Sequence, residues 1–360
     1  MTLDTKECAL MLVNSLSALT QARYGALTAP YRAGFRRRTY STPAFNKPTG
    51  RHEVIPVTTV DGAQLRVHAY GPADGEVIVL VHGWSCCIEY WHPQINAFAD
   101  RYRVVCYDQR GHGESTMGSS PPSDRTLADD LAAVLESTLR PGRRAVLVGH
   151  SMGGITLQAW AARHPAQVSR RAAAAVLVNT TSGNIRYDTD LLPLLNKPLM
   201  VGNRPVTLFG SEIRMPMLVA ESILTTPIPI PGGPLMRRLL MDRIMGPGAS
   251  VEAADFALDI VRSCRPLARG AHAAILADME LGDAARHLTV PTVVIAGQYD
   301  RLLPERMSRI IADTLRETGH LSGYHVWPTG HLGNLEAPEK FNTELARIID
   351  RTGLRPAAAG

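Results

Sequence analysis

The chain has 360 residues, of which 45% are hydrophobic and 20% are charged, and its formal net charge is +5. This composition is typical of a soluble globular protein and excludes a disordered or fibrous chain. No apolar run reaches the ~18 residues that a membrane-spanning helix needs, which excludes a polytopic membrane protein. The charge excess is small and scattered, and aromatic residues make up only 6% of the chain, so nucleic acid is not an expected partner.

The cysteines and the N-terminus favour a reducing compartment. The five cysteines include the adjacent pair Cys86-Cys87 and form no CxxC motif, so neither a disulfide framework nor a zinc site is expected. Asp4 and Glu7 stand where a secretory signal would carry basic residues, and no cleavage motif follows them. We therefore expect a cytoplasmic protein with reduced thiols.

Residues 1–50 are expected to form an N-terminal extension without strands. Within it, residues 9–22 have the pattern of a modest amphipathic helix, which we expect to pack against the body of the protein. The alternative is peripheral membrane contact by this helix, supported by the basic cluster Arg36-Arg37-Arg38. Both alternatives stay open from the sequence.

From residue 53 the sequence predicts an α/β domain. The strand-like segments 53–60 and 63–70 flank Asp61-Gly62, which is a strong hairpin turn. Strands and helices then alternate as far as residue 178, which predicts right-handed βαβ units and a parallel sheet. The predicted strands are 77–81, 102–107, 145–148 and 173–178, and the predicted helices are 90–99, 127–139 and 152–163.

The alternation stops near residue 181. Residues 183–267 are rich in Leu, Met and Pro and contain no clear strand, which predicts an all-helical insertion, here called the cap. The predicted elements after it are a helix from residue 271, a strand at 292–296, a helix at 304–316, a strand at 323–327 and a helix at 338–351. The α/β core is therefore expected to consist of residues 51–182 and 268–353.

A nucleophilic serine is predicted at residue 151. The run Gly149-His150-Ser151-Met152-Gly153 matches the pattern GxSxG, and it stands between a predicted strand and a predicted helix. This strand–turn–helix context is the one in which the pattern exposes a reactive serine on a tight turn. Glycines are needed there because neighbouring side chains would collide.

The expected base and orienting carboxylate are His331 and Asp300. Asp300 follows the predicted strand 292–296, and His331 follows the predicted strand 323–327. The carboxyl ends of parallel strands meet at one edge of a sheet, which brings both residues towards Ser151. The competing residues are less well placed relative to strand ends: His150, His320, His325, Asp278 and Asp283.

Two backbone amides are expected to form an oxyanion hole. The amide of Met152 begins the helix after Ser151, and the amide of Trp84 lies in the loop after the first parallel strand. His82 in that loop is expected to hold its shape by hydrogen bonding, and the run from Asp108 to Ser115 is expected to be a structural turn. No nucleotide-binding loop or HExxH motif is present, so no metal or organic cofactor is expected.

These motifs together resemble the α/β-hydrolase superfamily, in its cap-bearing branch of esterases and lipases. The resemblance covers about residues 53–351 and implies a mostly parallel eight-stranded sheet with a helical cap over the active site. It also implies acyl-enzyme chemistry, with Ser151 attacking an ester carbonyl and His331 accepting its proton. The matching runs are His82-Gly83, Asp108 to Ser115, Gly149 to Gly154, Gly297 to Asp300 and Gly330-His331.

The expected function is that of a serine hydrolase acting on small-molecule carboxylic esters. A hydrophobic, lipid-like substrate is one expectation, because eight apolar cap residues could line a pocket; they could equally form the core of the cap. These residues are Leu191, Leu192, Leu195, Leu199, Met200, Met215, Met217 and Leu218. The same triad also permits C–C bond hydrolysis, cofactor-free haloperoxidase or perhydrolase chemistry and acyl transfer, and a non-catalytic binding protein is a further alternative.

Overall fold

The main sheet of this computed structural model has eight strands. The structure describes residues 28–190 and 229–353, together with four two-residue strands between them. The strands of the main sheet are β1 (His52–Thr58), β2 (Gln64–Tyr70), β3 (Val77–Val81), β4 (Arg103–Tyr107), β5 (Ala145–His150), β6 (Ala172–Val178), β11 (Thr292–Gly297) and β12 (Leu321–Trp327). The short strands are β7 (Met200–Val201), β8 (Arg204–Pro205), β9 (Thr207–Leu208) and β10 (Ser211–Glu212).

The order of strands across the sheet is β1-β2-β4-β3-β5-β6-β11-β12. Strand β2 pairs antiparallel with both β1 and β4, and the remaining neighbours are parallel. The predicted hairpin at Asp61-Gly62 therefore forms the antiparallel edge of a mostly parallel sheet. This architecture confirms the predicted fold class.

Helices cover both faces of the sheet. The α-helices are α1 (His92–Phe98), α2 (Asp124–Thr138), α3 (Met152–Arg163), α4 (Pro165–Arg171), α5 (Ile185–Asp188), α6 (Pro234–Arg243), α7 (Val251–Ser263), α8 (Pro266–Asp278), α9 (Glu305–Glu317), α10 (Gly333–Glu336) and α11 (Pro338–Arg351). Residues 28–37 are also helical, and short 3₁₀ turns occur at Pro43–Phe45, Ile88–Trp91 and Ala284–His287.

The central strands are buried on both faces, as their uninterrupted apolar sequences predict. Every residue of β3 is buried, and alternate residues enter two different cores. Ile78 and Leu80 belong to one hydrophobic cluster, whereas Val77, Val79 and Val81 belong to the other. The alternation follows from the two-residue period of a strand, and it holds the carboxyl end of β3 rigidly at the edge where the candidate site lies.

Residues 183–267 are not all-helical. Two short antiparallel pairs, β7 with β8 and β9 with β10, occur among the helices. Pairs of two-residue strands are too short to produce a recognisable alternation in the sequence, which is why none was expected. The predicted end of the cap at residue 267 falls inside α8, which begins at Pro266.

Residues 28–50 pack against α7. The ring of Phe256 on α7 contacts Phe35, Tyr40 and Phe45 at centroid distances of 5.7, 5.2 and 4.9 Å. Of the basic cluster, Arg36 pairs with glutamates and Arg38 pairs with aspartates of the folded chain. The amphipathic segment 9–22 lies outside the described residues, so its placement stays a prediction.

Candidate active site

Ser151 lies on a strained turn between β5 and α3. Its backbone angles are φ 53° and ψ −119°, a conformation that residues other than glycine rarely adopt. A Cβ at Gly149 would lie 2.5 Å from the carbonyl oxygen of Gly153. A Cβ at Gly153 would overlap the carbonyl oxygen of Val81 on β3. The glycines of the motif are therefore required by the close approach of the turn to its own helix and to β3.

His331 and Asp300 contact each other at the carboxyl ends of β12 and β11. The Nδ1 atom of His331 lies 2.8 Å from Oδ2 of Asp300, and both side chains are buried. The other carboxylate oxygen of Asp300 accepts hydrogen bonds from the amides of Leu302 and Leu303, at 3.0 and 2.8 Å. Asp300 therefore presents a hydrogen-bond acceptor to Nδ1 of His331, which favours the Nδ1–H tautomer and leaves Nε2 as the proton-accepting nitrogen.

Ser151 and His331 are brought together through His150. The Nε2 atom of His150 donates to the carbonyl oxygen of His331 at 2.8 Å, and the two imidazole rings are 5.0 Å apart. Within the described residues the Oγ of Ser151 makes no hydrogen bond, so it is available to a substrate. Bonds between nucleophile and base are often looser in unliganded enzymes than during reaction.

Asn179 is a site residue that sequence reasoning missed. It follows β6 directly, has a positive φ of 47° and donates from Nδ2 to Oδ2 of Asp300 at 3.0 Å. The same nitrogen donates to the carbonyl oxygen of Gly330, the residue before His331. The sequence signal for this residue is its position directly after a predicted strand, the same signal that predicts Asp300 and His331.

The expected oxyanion amides lie beside Ser151. A Cβ at Gly83 would be 3.0 Å from the Cβ of Ser151, so the Gly83-Trp84 peptide passes directly against the serine. Throughout the described ranges, neither the amide of Trp84 nor that of Met152 donates a hydrogen bond to the protein. Two N–H groups without an internal acceptor beside a serine are suited to stabilise a developing oxyanion.

His82 holds the loop of Trp84 in place, as the sequence predicts. Its Nδ1 donates to the carbonyl oxygen of Gly83 at 2.7 Å, and its Nε2 accepts from the amide of Gln109 at 3.0 Å. Burial lowers the pKa of His82 to about 4, which keeps the ring neutral and able to make both bonds. The indole of Trp84 is fixed separately, by donation from Nε1 to the carbonyl oxygen of Arg269 on α8.

The run after β4 is a structural turn. The buried carboxylate of Asp108 accepts hydrogen bonds from the amides of Ile88 and Glu114 and pairs with Arg66. The competing acids lie elsewhere: Asp278 and Asp283 are exposed and pair with Arg186 and Arg286. Neither acid therefore replaces Asp300 beside His331.

The comparisons with known proteins concern the family and the fold of this chain. A profile described as the alpha/beta hydrolase family matches residues 78–344. The chain belongs to the alpha/beta hydrolase family. In this alpha/beta hydrolase the matched region includes Trp84, Ser151, Asp300 and His331, and it excludes residues 28–50 and the antiparallel edge hairpin.

Similarity to individual proteins extends over different parts of this alpha/beta hydrolase. The chain is 38% identical over 143 residues to a non-heme chloroperoxidase of Streptomyces lividans. The aligned stretch covers 38% of this chain and 50% of that protein. The chain is 41% identical over 110 residues to the bifunctional esterase/perhydrolase DCH of Acinetobacter calcoaceticus, 30% of this chain and 39% of that protein. The matches thus span half or less of the length of these two curated relatives.

A solved structure extends the likeness to most of the fold. The thermophilic esterase from Thermogutta terrifontis superposes with a TM-score of 0.62 at 22% identity, covering 84% of this chain and 99% of that chain. At this identity the likeness concerns the fold. In the described part of this alpha/beta hydrolase, no helix is long and apolar enough to cross a membrane, and no cluster of three or more His, Cys, Asp or Glu residues is placed to hold a metal ion.

Gly153→Ala is expected to destabilise the protein. A methyl group there would overlap the backbone of β3 at Val81, so the serine turn or the central strand must shift. Overpacking of this kind costs about 1–3 kcal/mol or more. Urea unfolding measures the loss, with Gly50→Ala as a control, because nothing lies within 4 Å of a Cβ at that exposed position. Equal unfolding midpoints for the two variants would contradict the close approach.

Proposed function

We propose that the protein is a serine hydrolase that cleaves small-molecule carboxylic esters through an acyl-enzyme intermediate. The observation that carries the proposal is the buried His331–Asp300 pair tied by His150 to the strained turn of Ser151. A serine, a base and an orienting carboxylate are the groups that acyl transfer requires. Membership of a hydrolase family and the fold likeness to an esterase support it further.

The proposed acylation step transfers one proton from Ser151 to the leaving alcohol by way of His331. The Oγ of Ser151 attacks the ester carbonyl, and Nε2 of His331 accepts the hydroxyl proton. The amides of Trp84 and Met152 donate to the carbonyl oxygen as it becomes negative. The tetrahedral intermediate then collapses, the bond to the alcohol breaks, and His331 gives the same proton to the leaving oxygen. Asp300 stabilises the imidazolium between the two transfers.

Deacylation repeats these steps with a second acceptor. Water loses a proton to His331 and attacks the acyl carbon. The bond from that carbon to the Oγ of Ser151 then breaks, and His331 gives the proton to Oγ, which releases the carboxylic acid and restores both residues. Hydrogen peroxide can take the place of water, which gives a peracid and the free serine. This second candidate activity, perhydrolysis, is favoured by the similarity to relatives named as a chloroperoxidase and as an esterase/perhydrolase.

The preference for hydrophobic esters stays a proposal from the sequence. The side chains of the eight apolar residues that suggested it lie outside the described residues. A preference of this kind would follow if those leucines and methionines line the pocket, because flexible methionine side chains adapt to varied apolar ligands.

Hydrolysis of p-nitrophenyl esters from acetate to decanoate tests the proposal, with a fluorophosphonate probe to label the nucleophile. We expect turnover of at least one ester and covalent labelling of the folded protein. Addition of hydrogen peroxide, followed by peracid detection, tests the second candidate activity. A folded protein that neither reacts with the probe nor hydrolyses any ester would contradict the proposed serine hydrolase activity. Hydrolysis of the acetate ester alone would contradict the proposed preference for hydrophobic esters.

A further inference from the structure

The backbone amides of residues 330–332 each donate a hydrogen bond. The amide of His331 donates to the carbonyl oxygen of Ile244 at 2.7 Å. The amides on either side of it, those of Gly330 and Leu332, donate to the carboxylate of Glu336 at 2.9 and 3.1 Å. The loop that carries the proposed base is therefore fixed by the carbonyl oxygen of Ile244 and the carboxylate of Glu336. Neither group belongs to the triad.

Glu336 has a third donor, which comes from the cap. Its Oε2 accepts from the amide of Gly246 at 2.7 Å as well as from Gly330, while Oε1 accepts from Leu332. Burial raises the pKa of the Glu336 carboxyl above its ordinary value, and the three amides act in the opposite direction. A partly buried acceptor that serves three amides is costly to remove, because each amide would be left without a partner.

The cap and the loop of His331 are also in direct backbone contact. A Cβ at Gly246 would lie 2.9 Å from the amide nitrogen of Gly330, and a Cβ at Gly330 would overlap the carbonyl oxygen of Ile244. Two glycines thus face each other where the chain leaves α6. No side chain fits between them, so a displacement of the cap segment 244–246 must displace the loop.

The opposite side of His331 is held by the core. Its carbonyl oxygen accepts from His150, whose ring stacks on Tyr90 at 4.8 Å. The backbone of His331 is therefore held between the cap segment on its amide side and the serine turn on its carbonyl side. Small changes in the cap segment will change the distance from the imidazole to Ser151, and a misplacement of about 1 Å can cost 10²-fold in rate.

We propose that Glu336 is a positioning residue that couples the cap to the proposed catalytic base. Glu336 joins Gly246 of the cap to both neighbours of His331, so the cap segment must be seated for the imidazole to reach Ser151 and the leaving group. The inference rests on the proposed function, since it assigns the loop of His331 a place in acyl transfer. It adds the requirement that the cap segment 244–246 is in place before His331 can act.

Glu336→Gln tests the carboxylate. The substituted side chain keeps one oxygen, and its NH₂ group then faces at least one backbone N–H that had an acceptor. We expect kcat/KM for ethyl butyrate to fall about 10- to 100-fold and that for p-nitrophenyl butyrate to fall several-fold less. Departure of ethoxide needs a proton from His331, whereas p-nitrophenolate leaves without one. Glu339→Gln is the matched control, because Glu339 is exposed three residues away.

Gly246→Ala tests the contact from the side of the cap. A methyl group there presses on the backbone at Gly330, so the same selective loss on ethyl butyrate is expected. Gly248→Ala is the control, because that glycine is exposed and nothing lies within 4 Å of its Cβ. This pair leaves the carboxylate unchanged and remains informative if Glu336→Gln fails to fold.

The outcomes separate this inference from the proposed function. Equal losses on the two esters mean less folded enzyme rather than a misplaced base, and they overturn the inference, as does activity equal to that of the controls. A wild-type protein that labels with fluorophosphonate without hydrolysing esters overturns the proposed function alone; the labelling rates of the four variants then decide the inference. A wild-type protein that does neither overturns both.

Discussion

Ser151→Ala is expected to lower kcat for ester hydrolysis on the order of 10⁶-fold, which is the usual effect of removing a nucleophilic serine. The hydroxyl is the atom that forms the acyl-enzyme, and no other group at the turn can replace it. The Oγ of Ser151 makes no hydrogen bond within the described residues, so the substitution breaks no hydrogen bond of the folded protein and should leave its unfolding temperature nearly unchanged. Kinetics with a p-nitrophenyl ester and thermal unfolding measure the two effects.

The control for this experiment is Ser169→Ala on α4, since Ser169 is exposed. Fluorophosphonate should label the wild type and the control and should not label Ser151→Ala. Labelling of Ser151→Ala at the wild-type rate would show that another residue is the nucleophile, and the assignment of the whole site would fail with it.

Asp300→Asn is expected to lower kcat about 10³- to 10⁴-fold. In the unsubstituted protein, Oδ2 of Asp300 accepts hydrogen bonds from Nδ1 of His331 and from Nδ2 of Asn179. The oxygen of the substituted side chain can keep the amides of Leu302 and Leu303, which turns its NH₂ group towards His331. That group can only donate, so it favours the tautomer in which Nε2 carries the proton, and this imidazole cannot accept the proton of Ser151.

Asp278→Asn and Asp283→Asn are the matched controls. Both carboxylates are exposed and pair with surface arginines, and exposed ion pairs of this kind contribute about 0–1 kcal/mol. Steady-state kinetics of the three variants should therefore separate Asp300 from the other two. Near-normal turnover of Asp300→Asn beside an inactive variant at 278 or 283 would show that the orienting carboxylate had been misassigned.

Residues 28–50 and the segment 183–267 show where sequence patterns were insufficient. The sequence predicts an N-terminal extension without strands, but it does not predict that Phe35, Tyr40 and Phe45 pack on Phe256 of α7. Contacts between segments more than 200 residues apart leave no periodic pattern in either segment. The four short strands were missed for a different reason, because two-residue strands contain too few positions to alternate.

The sequence by itself determined the α/β alternation and the placement of Ser151, Asp300 and His331 after strands. Local rules are sufficient here, because a strand end and a tight glycine-rich turn are specified by neighbouring residues. Only the tertiary structure decided that Asn179 donates to Asp300 and that Glu336 joins the cap to the loop of His331. Glu336 is 90 residues from Gly246 along the chain, and a hydrogen bond of that kind exists only after the chain has folded and brought the two backbones together.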